Sequence, residues 1–388
     1  MRPLKEVVAL FLKLGMIAFG GPAAHIAMMQ DEVVNKRKWM SRQHFLDLVG
    51  ATNLIPGPNS TEMVMHCGLQ RAGGWGLVLG GAAFILPATL ITGILAYVYV
   101  QYQSIPALET FLFGIKPAVI AIIWGAVYQL GKKALKSWQL GVVGALVAAA
   151  SFAGINEVLA ILGGGLFGLA WWGLTQKKDS SSTLNSLWIP VLAWLNQKSA
   201  SGGALFAISA AASDISLLKL FLIFLKIGLV LFGSGYVLIA YLEGEFVQNL
   251  GWLTQAQLLD AVAVGQFTPG PVLSTATFIG YQMAGVWGAI VATVGIFLPS
   301  FILVALLNPV IPRLRESKMA SAFLDAVNIS AMGIMAAVTV ELGISVLTNW
   351  QAWLIFLLSC AATFGFKKIS SVWIVLGSAC LGYILTGL

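Results

Sequence analysis

The chain has little charge for its length. Only 10% of its 388 residues are charged and 59% are hydrophobic, whereas roughly a quarter of an ordinary soluble domain is charged. Its three cysteines, Cys67, Cys360 and Cys380, lack C-x-x-C spacing, so we expect buried thiols instead of a metal or redox centre. No glycine-rich nucleotide loop, cofactor motif or H-E-x-x-H helix occurs. These absences disfavour an enzyme, and we expect no cofactor.

Long apolar runs are abundant, by contrast. Residues 77–100, 286–307 and 350–366 approach or exceed the ~20 residues that a helix needs to cross a bilayer. The N-terminus has a basic start but no small-residue cleavage site, so we expect no removable signal. The formal charge of +7 does not indicate nucleic acid, because the basic residues lie in short loops between apolar runs. The sequence predicts an all-helical integral membrane protein.

One stretch of the chain occurs twice. FLKLGMIAFGGPAAHIAMMQ, from residue 11, returns as FLKIGLVLFGSGYVLIAYLE from residue 224. The offset is 213 at Lys13 and Lys226 (226 − 13) and 212 at Pro87 and Pro299 (299 − 87). We predict an N-terminal repeat, a serine-rich linker and a C-terminal repeat, at residues 1–179, 180–216 and 217–388.

The loops alternate in charge along the chain. Lysine and arginine cluster at 36–42, 132–136, 177–178, 313–318 and 367–368, whereas the loops at 101–109, near 156, at 243–257 and at 348–351 have none. We call these the basic side and the lysine-free side, and expect them to be inside and outside. The basic turn after the first span of repeat one corresponds to a lysine-free turn in repeat two. The repeats are therefore predicted to have inverted topology, a common transporter architecture.

An odd number of crossings in each half produces this inversion. We predict five per half and about ten in all, with both termini outside, although the basic residues near the N-terminus argue locally for the opposite. The alternative is an even count in each half, with a further crossing inside 180–216, if the first segment turns back at its glycines.

A broken helix follows the first span of each half. N-cap signals at Ser41 and Thr254 predict entering helices. The first would run over 42–55 and break at Pro56-Gly57-Pro58, because two prolines remove two backbone donors and glycine permits a reversal. A helix over 59–70 would return to the same side. The inverted twin spans 267–282 around Pro269-Gly270-Pro271.

Broken helices at membrane depth are tolerated only in protein or beside a wet cavity. The return helices would direct their N-terminal N–H groups and nearby hydroxyls toward mid-membrane, which suits a tetrahedral oxyanion. A second interruption is predicted in the first span of each half. The alternative is that both glycine motifs only permit close helix packing. The predicted binding residues at these breaks are Gly20, Gly21, Pro22, Asn53, Pro56, Gly57, Pro58, Asn59, Ser60, Thr61, Gly233, Ser234, Gly235, Gln266, Pro269, Gly270, Pro271 and Ser274.

Ionisable residues at membrane depth are further candidates, because their burial is costly. Three basic residues either bind the anion or serve only topology at an interface: Lys13, Lys226 and Arg71. Three titratable residues are candidates for proton coupling, with packing as the alternative for the histidines: Glu62, His25 and His66. Asp47 and Asp260 correspond between the copies, and we expect structural hydrogen bonds from them.

These motifs carry a resemblance that covers nearly the whole chain. FGGP, then N-x-x-PGP, then Q-x-A-G-x-W-G and a proline in the next span resemble the chromate transporter family in its long, two-domain bacterial form. The matching positions are Gly20, Gly21, Pro22, Asn53, Pro56, Gly57, Pro58, Gln70, Gly73 and Pro87. The second copy departs from the pattern at Ser234, Gly235 and Gln266, so we expect the halves to bind unequally.

The resemblance implies a multi-pass protein of the bacterial inner membrane that exports chromate, with coupling to a proton or sodium gradient. Sulfate has the same charge and shape as chromate, so a sulfate-like oxyanion is a second candidate for the cargo. An oxyanion channel of the same architecture is the alternative function. Whether the protein forms a homodimer is left open.

Overall fold

The computed structural model describes residues 2–19, 21–52, 55–102, 106–175, 215–308, 317–366 and 369–386. Within these residues every regular element is helical. The predicted all-helical class is confirmed for this part of the chain. Two of the predicted site residues, Gly20 and Asn53, and nearly all of the predicted linker lie outside the described residues.

Among the described residues each half has seven α-helices, and those of the first half are joined by short turns. They are α1 (Arg2–Ile17), α2 (Gly21–Met29), α3 (Arg42–Thr52), α4 (Asn59–Tyr102), α5 (Pro106–Ala134), α6 (Trp138–Phe152) and α7 (Glu157–Thr175). Seven follow in the second half: α8 (Leu217–Val230), α9 (Leu238–Leu242), α10 (Gln255–Phe267), α11 (Thr275–Leu307), α12 (Lys318–Val346), α13 (Trp350–Gly365) and α14 (Ser371–Thr386).

The two halves repeat the same elements in the same order. A π-helical turn follows α2 at Gln30–Lys36 and follows α9 at Glu243–Asn249. The long helices α4 and α11 are kinked at Ala72-Gly73 and Ala284-Gly285. The kinks are 212 residues apart (284 − 72), which is the offset found in the sequence.

The first helix of each half is interrupted, as the glycine motifs predict. In the first half α1 ends at Ile17 and α2 begins at Gly21. In the second half α8 ends at Val230, and a 3-10 turn begins at Gly235 before α9. We call residues 18–21 and 231–235 the first and second breaks.

The entering helices begin where the N-cap signals predict. The Thr254 hydroxyl accepts from the Gln257 amide at 3.2 Å, and the Gln257 side chain accepts from the Thr254 amide at 2.9 Å. This is a complete capping box, which satisfies two otherwise orphaned groups. In the first half the Ser41 hydroxyl accepts from the His44 amide at 3.2 Å. Helix α3 ends at Thr52.

The long helix α4 is a pair of antiparallel legs. Gly68 and Gly76 meet across the kink, and a Cβ on Gly81 would lie 3.1 Å from the Met65 side chain. The two legs therefore run in opposite directions beside each other. The predicted return helix after Pro58 is confirmed, and the chain reverses at Ala72-Gly73. In α11, Gly280 and Gly288 meet in the same way.

The second legs of α4 and α11 pack against each other. Tyr99 contacts Phe278, on the first leg of α11, with ring centroids 5.1 Å apart. The adjacent Thr277 hydroxyl lies 2.8 Å from the Thr293 hydroxyl of the second leg, so Tyr99 lies near that part of α11, whereas a Cβ on Gly81 would lie 2.8 Å from the Phe301 ring. These corresponding helices therefore run antiparallel. Helix α1 packs on α4, and α8 packs on α11. Small residues permit this closeness, since a Cβ on Gly15 would lie 2.6 Å from the Phe84 carbonyl oxygen.

The remaining helices of each half pack on helices of the other half. Helix α5 packs on α13 and α14, and α12 packs on α6 and α7. Five helical segments in the described residues are long and apolar enough to cross a membrane: Asn59–Tyr102, Thr110–Ala134, Glu157–Thr175, Val272–Leu307 and Lys318–Val346. Helices α6, α13 and α14 are shorter apolar helices. Helix α13 coincides with the apolar run at 350–366.

Candidate functional site

The two Pro-Gly-Pro turns lie crosswise on the breaks of the first helices. We call residues 56–58 and 269–271 the first and second tips. The Gly57 amide donates to the Leu231 carbonyl at 2.7 Å, and the Gly270 amide donates to the Ala18 carbonyl at 2.8 Å. Each tip is therefore bonded to the break of the other half. The amides of the two tip glycines are occupied by protein partners.

Both tip glycines adopt backbone angles that side chains rarely permit. Gly57 has φ 142° and Gly270 has φ 94°, so glycine is needed at each tip. The space beside Gly57 is filled, because a Cβ there would coincide with the Glu62 carboxylate and the Ser300 hydroxyl. Beside Gly270, a Cβ would lie 3.0 Å from the Ala88 side chain.

Buried polar side chains surround the tips. Ser60, Thr61 and Ser274 follow the tips along the chain, and Gln266 precedes the second tip; all are at most 5% exposed. Among the described residues, no hydrogen-bond partner is found for the Thr61 hydroxyl, the Ser274 hydroxyl or the Gln266 amide nitrogen. Uncommitted buried donors are uncommon in proteins. These three groups are available to bind a polar ligand.

The main-chain donors at the start of α4 are partly occupied. The Thr61 and Glu62 amides donate to the Pro58 carbonyl at 2.8 and 3.1 Å. In the second half a 3-10 turn at Val272–Ser274 precedes α11, and the Ser274 amide donates to the Pro271 carbonyl at 3.0 Å. An anion at the tips would therefore rely on side-chain donors more than the sequence suggests.

Glu62 is fully buried beside the first tip. Its carboxylate and the hydroxyl of Ser300, from α11 of the other half, both pack against the Gly57 backbone. Within the described residues Glu62 forms no ion pair. An unpaired carboxylate is expensive to bury in its charged form, so this environment favours a proton on Glu62.

The two candidate histidines occupy different places. His25 Nε2 lies 3.1 Å from the Ala18 carbonyl oxygen, the same oxygen that accepts from Gly270. His25 is 2% exposed, and its ring meets Phe84 edge-on. His66 is fully buried one helical turn beyond Glu62, so the two lie on one face of α4. The structure thus places His25 at the second tip, whereas His66 lies farther along α4, about 10 Å beyond Asn59 along the helix axis.

The break residues also meet each other. A Cβ on Gly21 would lie 3.1 Å from the Tyr236 hydroxyl, which joins the first break to the residue after the second. Ser234 is 3% exposed, and its hydroxyl accepts from the Tyr236 amide at 3.4 Å. A Cβ on Gly235 would lie 3.1 Å from Leu273, beside the second tip. Tips and breaks therefore form one central region.

The predicted lysines are engaged elsewhere. Lys13 lies 3.4 Å from Glu32, and Lys226 lies 2.5 Å from Glu245. Each glutamate sits in the π-helical turn of the same half, 19 residues after its lysine (32 − 13 and 245 − 226). Both lysines therefore have carboxylate partners.

Arg71 is likewise not brought to the tips. It pairs with Glu6 at 2.7 Å and lies over the Trp39 ring at 5.4 Å. It is 12 residues beyond Asn59 (71 − 59), or ~18 Å along the helix axis. Its charge belongs to the end of the first leg of α4.

Sequence reasoning missed three residues that make the contacts described above: Ser300, Glu32 and Glu245. Ser300 directly follows Pro299, the proline predicted within a span, and the corresponding residue of the first half is Ala88. A polar residue at this position in only one of the two copies was a visible signal in the sequence. The repeated 19-residue spacing was a visible signal for Glu32 and Glu245.

A separate cavity of ≈ 620 Å³ lies between α6, α7 and α12, beside Trp171. It is lined by none of the predicted site residues.

Known proteins match the chain over both of its repeats. The family model described as chromate transporter matches residues 5–169 and 218–383. The chain belongs to the chromate transporter family. The family together with the long apolar helices makes the chain a multi-pass membrane protein.

The family's curated members are similar over most of the chain. A protein of Pseudomonas aeruginosa named chromate transport protein is 32% identical over 87% of this chain and 80% of its own length. A protein of Cupriavidus metallidurans with the same name is 30% identical over 98% of this chain and 93% of its own length. An uncharacterised transporter of Bacillus subtilis is 32% identical over 38% of this chain and 75% of its own length. No solved structure matches the chain.

Proposed function

We propose that this chain is a secondary transporter that exports chromate, or a sulfate-like oxyanion, across the bacterial inner membrane. The family and the names of the curated relatives support chromate as cargo. The observation that carries the proposal is the crosswise bonding of the tips, Gly57 to Leu231 and Gly270 to Ala18, beside buried donors for which the described residues supply no partner. Two half-sites that meet in this way suit one solute held between two repeats.

The repeats are proposed to be inverted, with boundaries at 1–179 and 217–388. The antiparallel packing of the corresponding helices α4 and α11 supports inversion. The alternation of basic and lysine-free loops supports it independently. The shorter Bacillus relative, which matches over 38% of this chain, supports the idea that one repeat is a separable unit.

The anion is proposed to sit between the tips. The Thr61 and Ser274 hydroxyls and the Gln266 amide would donate to its oxygens, with Ser60 beside them. The N-terminal ends of α4 and α11 add the positive ends of their dipoles. Because Lys13, Lys226 and Arg71 have carboxylate partners, the proposed site does not include them.

A proton is the proposed coupling ion. Glu62 beside the anion would repel it if charged, so anion binding favours the protonated acid. Loading the site with an anion and a proton together lowers the net charge that must cross the bilayer.

The test is transport by purified protein in proteoliposomes. Chromate, sulfate and molybdate are supplied under imposed pH or sodium gradients. Accumulation against a chromate gradient driven by pH supports a proton-coupled transporter. Flux that only runs down the chromate gradient under every condition indicates the channel alternative instead.

The site is tested with Thr61→Val, which removes only the hydroxyl. Loss of a hydrogen bond to a charged group costs about 1.5–3 kcal/mol, so the half-saturating chromate concentration should rise roughly ten- to a hundredfold. The matched control is Thr89→Val, on the other leg of α4, where the hydroxyl is exposed and donates to the Leu86 carbonyl. Equal half-saturation in the two variants would remove the tips as the binding site.

A further inference from the structure

A buried polar network ties the second entering helix to the other half of the protein. Asp260, in the middle of α10, is 3% exposed. The Tyr99 hydroxyl, from α4, donates to Asp260 Oδ2 at 2.9 Å. The Lys116 ammonium, from α5, lies 3.4 Å from Asp260 Oδ1. One carboxylate therefore joins three helices.

The first entering helix differs at the corresponding positions. The counterpart of Asp260 is Asp47 in α3 (260 − 213), and it accepts from Gln43 of the same helix at 3.3 Å. The counterpart of Lys116 is Asn328 (116 + 212), which carries no charge. The lysine is thus present in only one of the two copies.

The two entering helices also differ in the helices against which they pack. Helix α10 packs on α5 and α4 of the first half as well as on α11 and α14 of its own half, and most of its residues are buried. Among the described residues, α3 packs mainly on α4 and the π-helical turn before it. Its buried residues are confined to Phe45, Leu48, Ala51 and Thr52. The second entering helix is therefore docked against both halves, whereas the first packs mainly within its own.

Docking of α10 bears directly on the tips. Asp260 lies two to three helical turns before the second tip, and Phe267, at the end of α10, packs against the Ala118 and Ile122 cluster of α5. Because α10 connects the lysine-free loop at 243–257 to the second tip, its position determines where that tip lies.

We propose that Asp260, Tyr99 and Lys116 form a latch that holds α10 against the first repeat and closes the lysine-free side of the transport path. Removing one partner of a buried ion pair leaves the other charge buried without compensation. Breaking the latch therefore favours release of α10 and opens that side. The inference rests on the proposed function, which supplies the transport path and assigns the lysine-free side to the outside. The contacts of Asp260 do not depend on that proposal.

The test measures access to α10 with a membrane-impermeant maleimide. Cys67, Cys360 and Cys380 are first replaced by alanine, and Ala263→Cys is introduced as the labelling site. Ala263 is 4% exposed and follows Asp260 by three residues, so it shares its helix face. The reagent is applied to intact cells, which exposes the outside, and to inverted vesicles, which exposes the inside.

With the latch intact, the introduced thiol should react slowly from both sides. Lys116→Met should raise its labelling rate at least about tenfold from the outside only, because an uncompensated buried charge shifts the two-state population. Asp260→Asn should act in the same direction, and serves if Lys116→Met does not accumulate. The double variant should return toward the slow rate, since neither helix then holds an unpaired charge. Asp47→Asn is the matched control and should leave the rate unchanged.

Three results would overturn parts of the idea separately. Unchanged labelling in both single variants overturns the latch, provided that Ala256→Cys, an exposed position at the start of α10 on the lysine-free side, is labelled from the outside. Faster labelling from the inside only would overturn the proposed orientation. Faster labelling from the outside in a protein that moves no oxyanion would support the latch and remove the proposed cargo.

Discussion

Replacing Lys226 by methionine should destabilise the protein far more than the same change at Lys13, its counterpart. Lys226 lies 2.5 Å from Glu245, and the two side chains are 25% and 6% exposed. Glu243, fully buried, is close by in the chain. Losing the lysine leaves the Glu245 carboxylate without that cation. Removal of one member of a buried ion pair typically costs about 3–5 kcal/mol.

The first repeat supplies the matched control. The Lys13 side chain is 54% exposed and 3.4 Å from Glu32. Glu32 also has Lys36 at 3.3 Å and Arg37 at 3.0 Å. Lys13→Met therefore leaves the carboxylate two cations, and the expected loss is under about 1 kcal/mol, as for exposed pairs.

Both variants are compared by thermal unfolding in detergent, followed by the fluorescence of the chain's 13 tryptophans. The Lys226→Met midpoint should fall well below that of Lys13→Met. Adding Glu245→Gln to Lys226→Met should recover most of the loss, because the buried charge is then removed. Equal losses at the two lysines, or no recovery in the double variant, would refute the structural role. A raised half-saturating chromate concentration with unchanged stability would point instead to anion binding.

Three further predictions concern the central region and its edge. Glu62→Gln should abolish the effect of a pH gradient on chromate flux while chromate still binds, because the amide cannot exchange a proton; flux with and without the gradient measures this. Gly57→Ala should lower the unfolding midpoint more than Gly270→Ala. Both pay a backbone cost of about 1–3 kcal/mol, but only at Gly57 does the new Cβ coincide with the Glu62 carboxylate and a hydroxyl. Arg71→Ala should change the half-saturating chromate concentration by less than about twofold, because its partner Glu6 lies at the far end of the leg from the tips.

Local signals in the sequence were sufficient for the elements that form the site. The capping box at Thr254 fixes the start of α10 through two short-range hydrogen bonds. The prolines of each tip end one helix and start the next for reasons contained within three residues. The repeat then transfers each conclusion from one half to the other, which is why the paired kinks and paired breaks recur at constant offset.

The contacts between the halves could not be read in the same way. Gly57 bonds to Leu231, and Glu62 meets Ser300; each pair is far apart in sequence, and its meeting depends on how the repeats cross. Periodicity places these residues on helix faces but not opposite each other. The lysine partners were different, because the 19-residue spacing to glutamate is visible in both copies of the sequence itself.

The crosswise bonding also bears on how two states could exchange. Each tip glycine donates one backbone hydrogen bond to the other half, worth about 1 kcal/mol net. The tips alone would therefore stabilise the closed positions of the two entering helices about equally. The latch at Asp260 adds a buried ion pair to the hold on α10. The empty protein should therefore favour closure of the lysine-free side, and anion binding must supply the difference that releases α10. A solute that contacts Gln266 and Ser274, which lie on either side of the second tip, is placed to do so, because it acts on the segment that α10 carries.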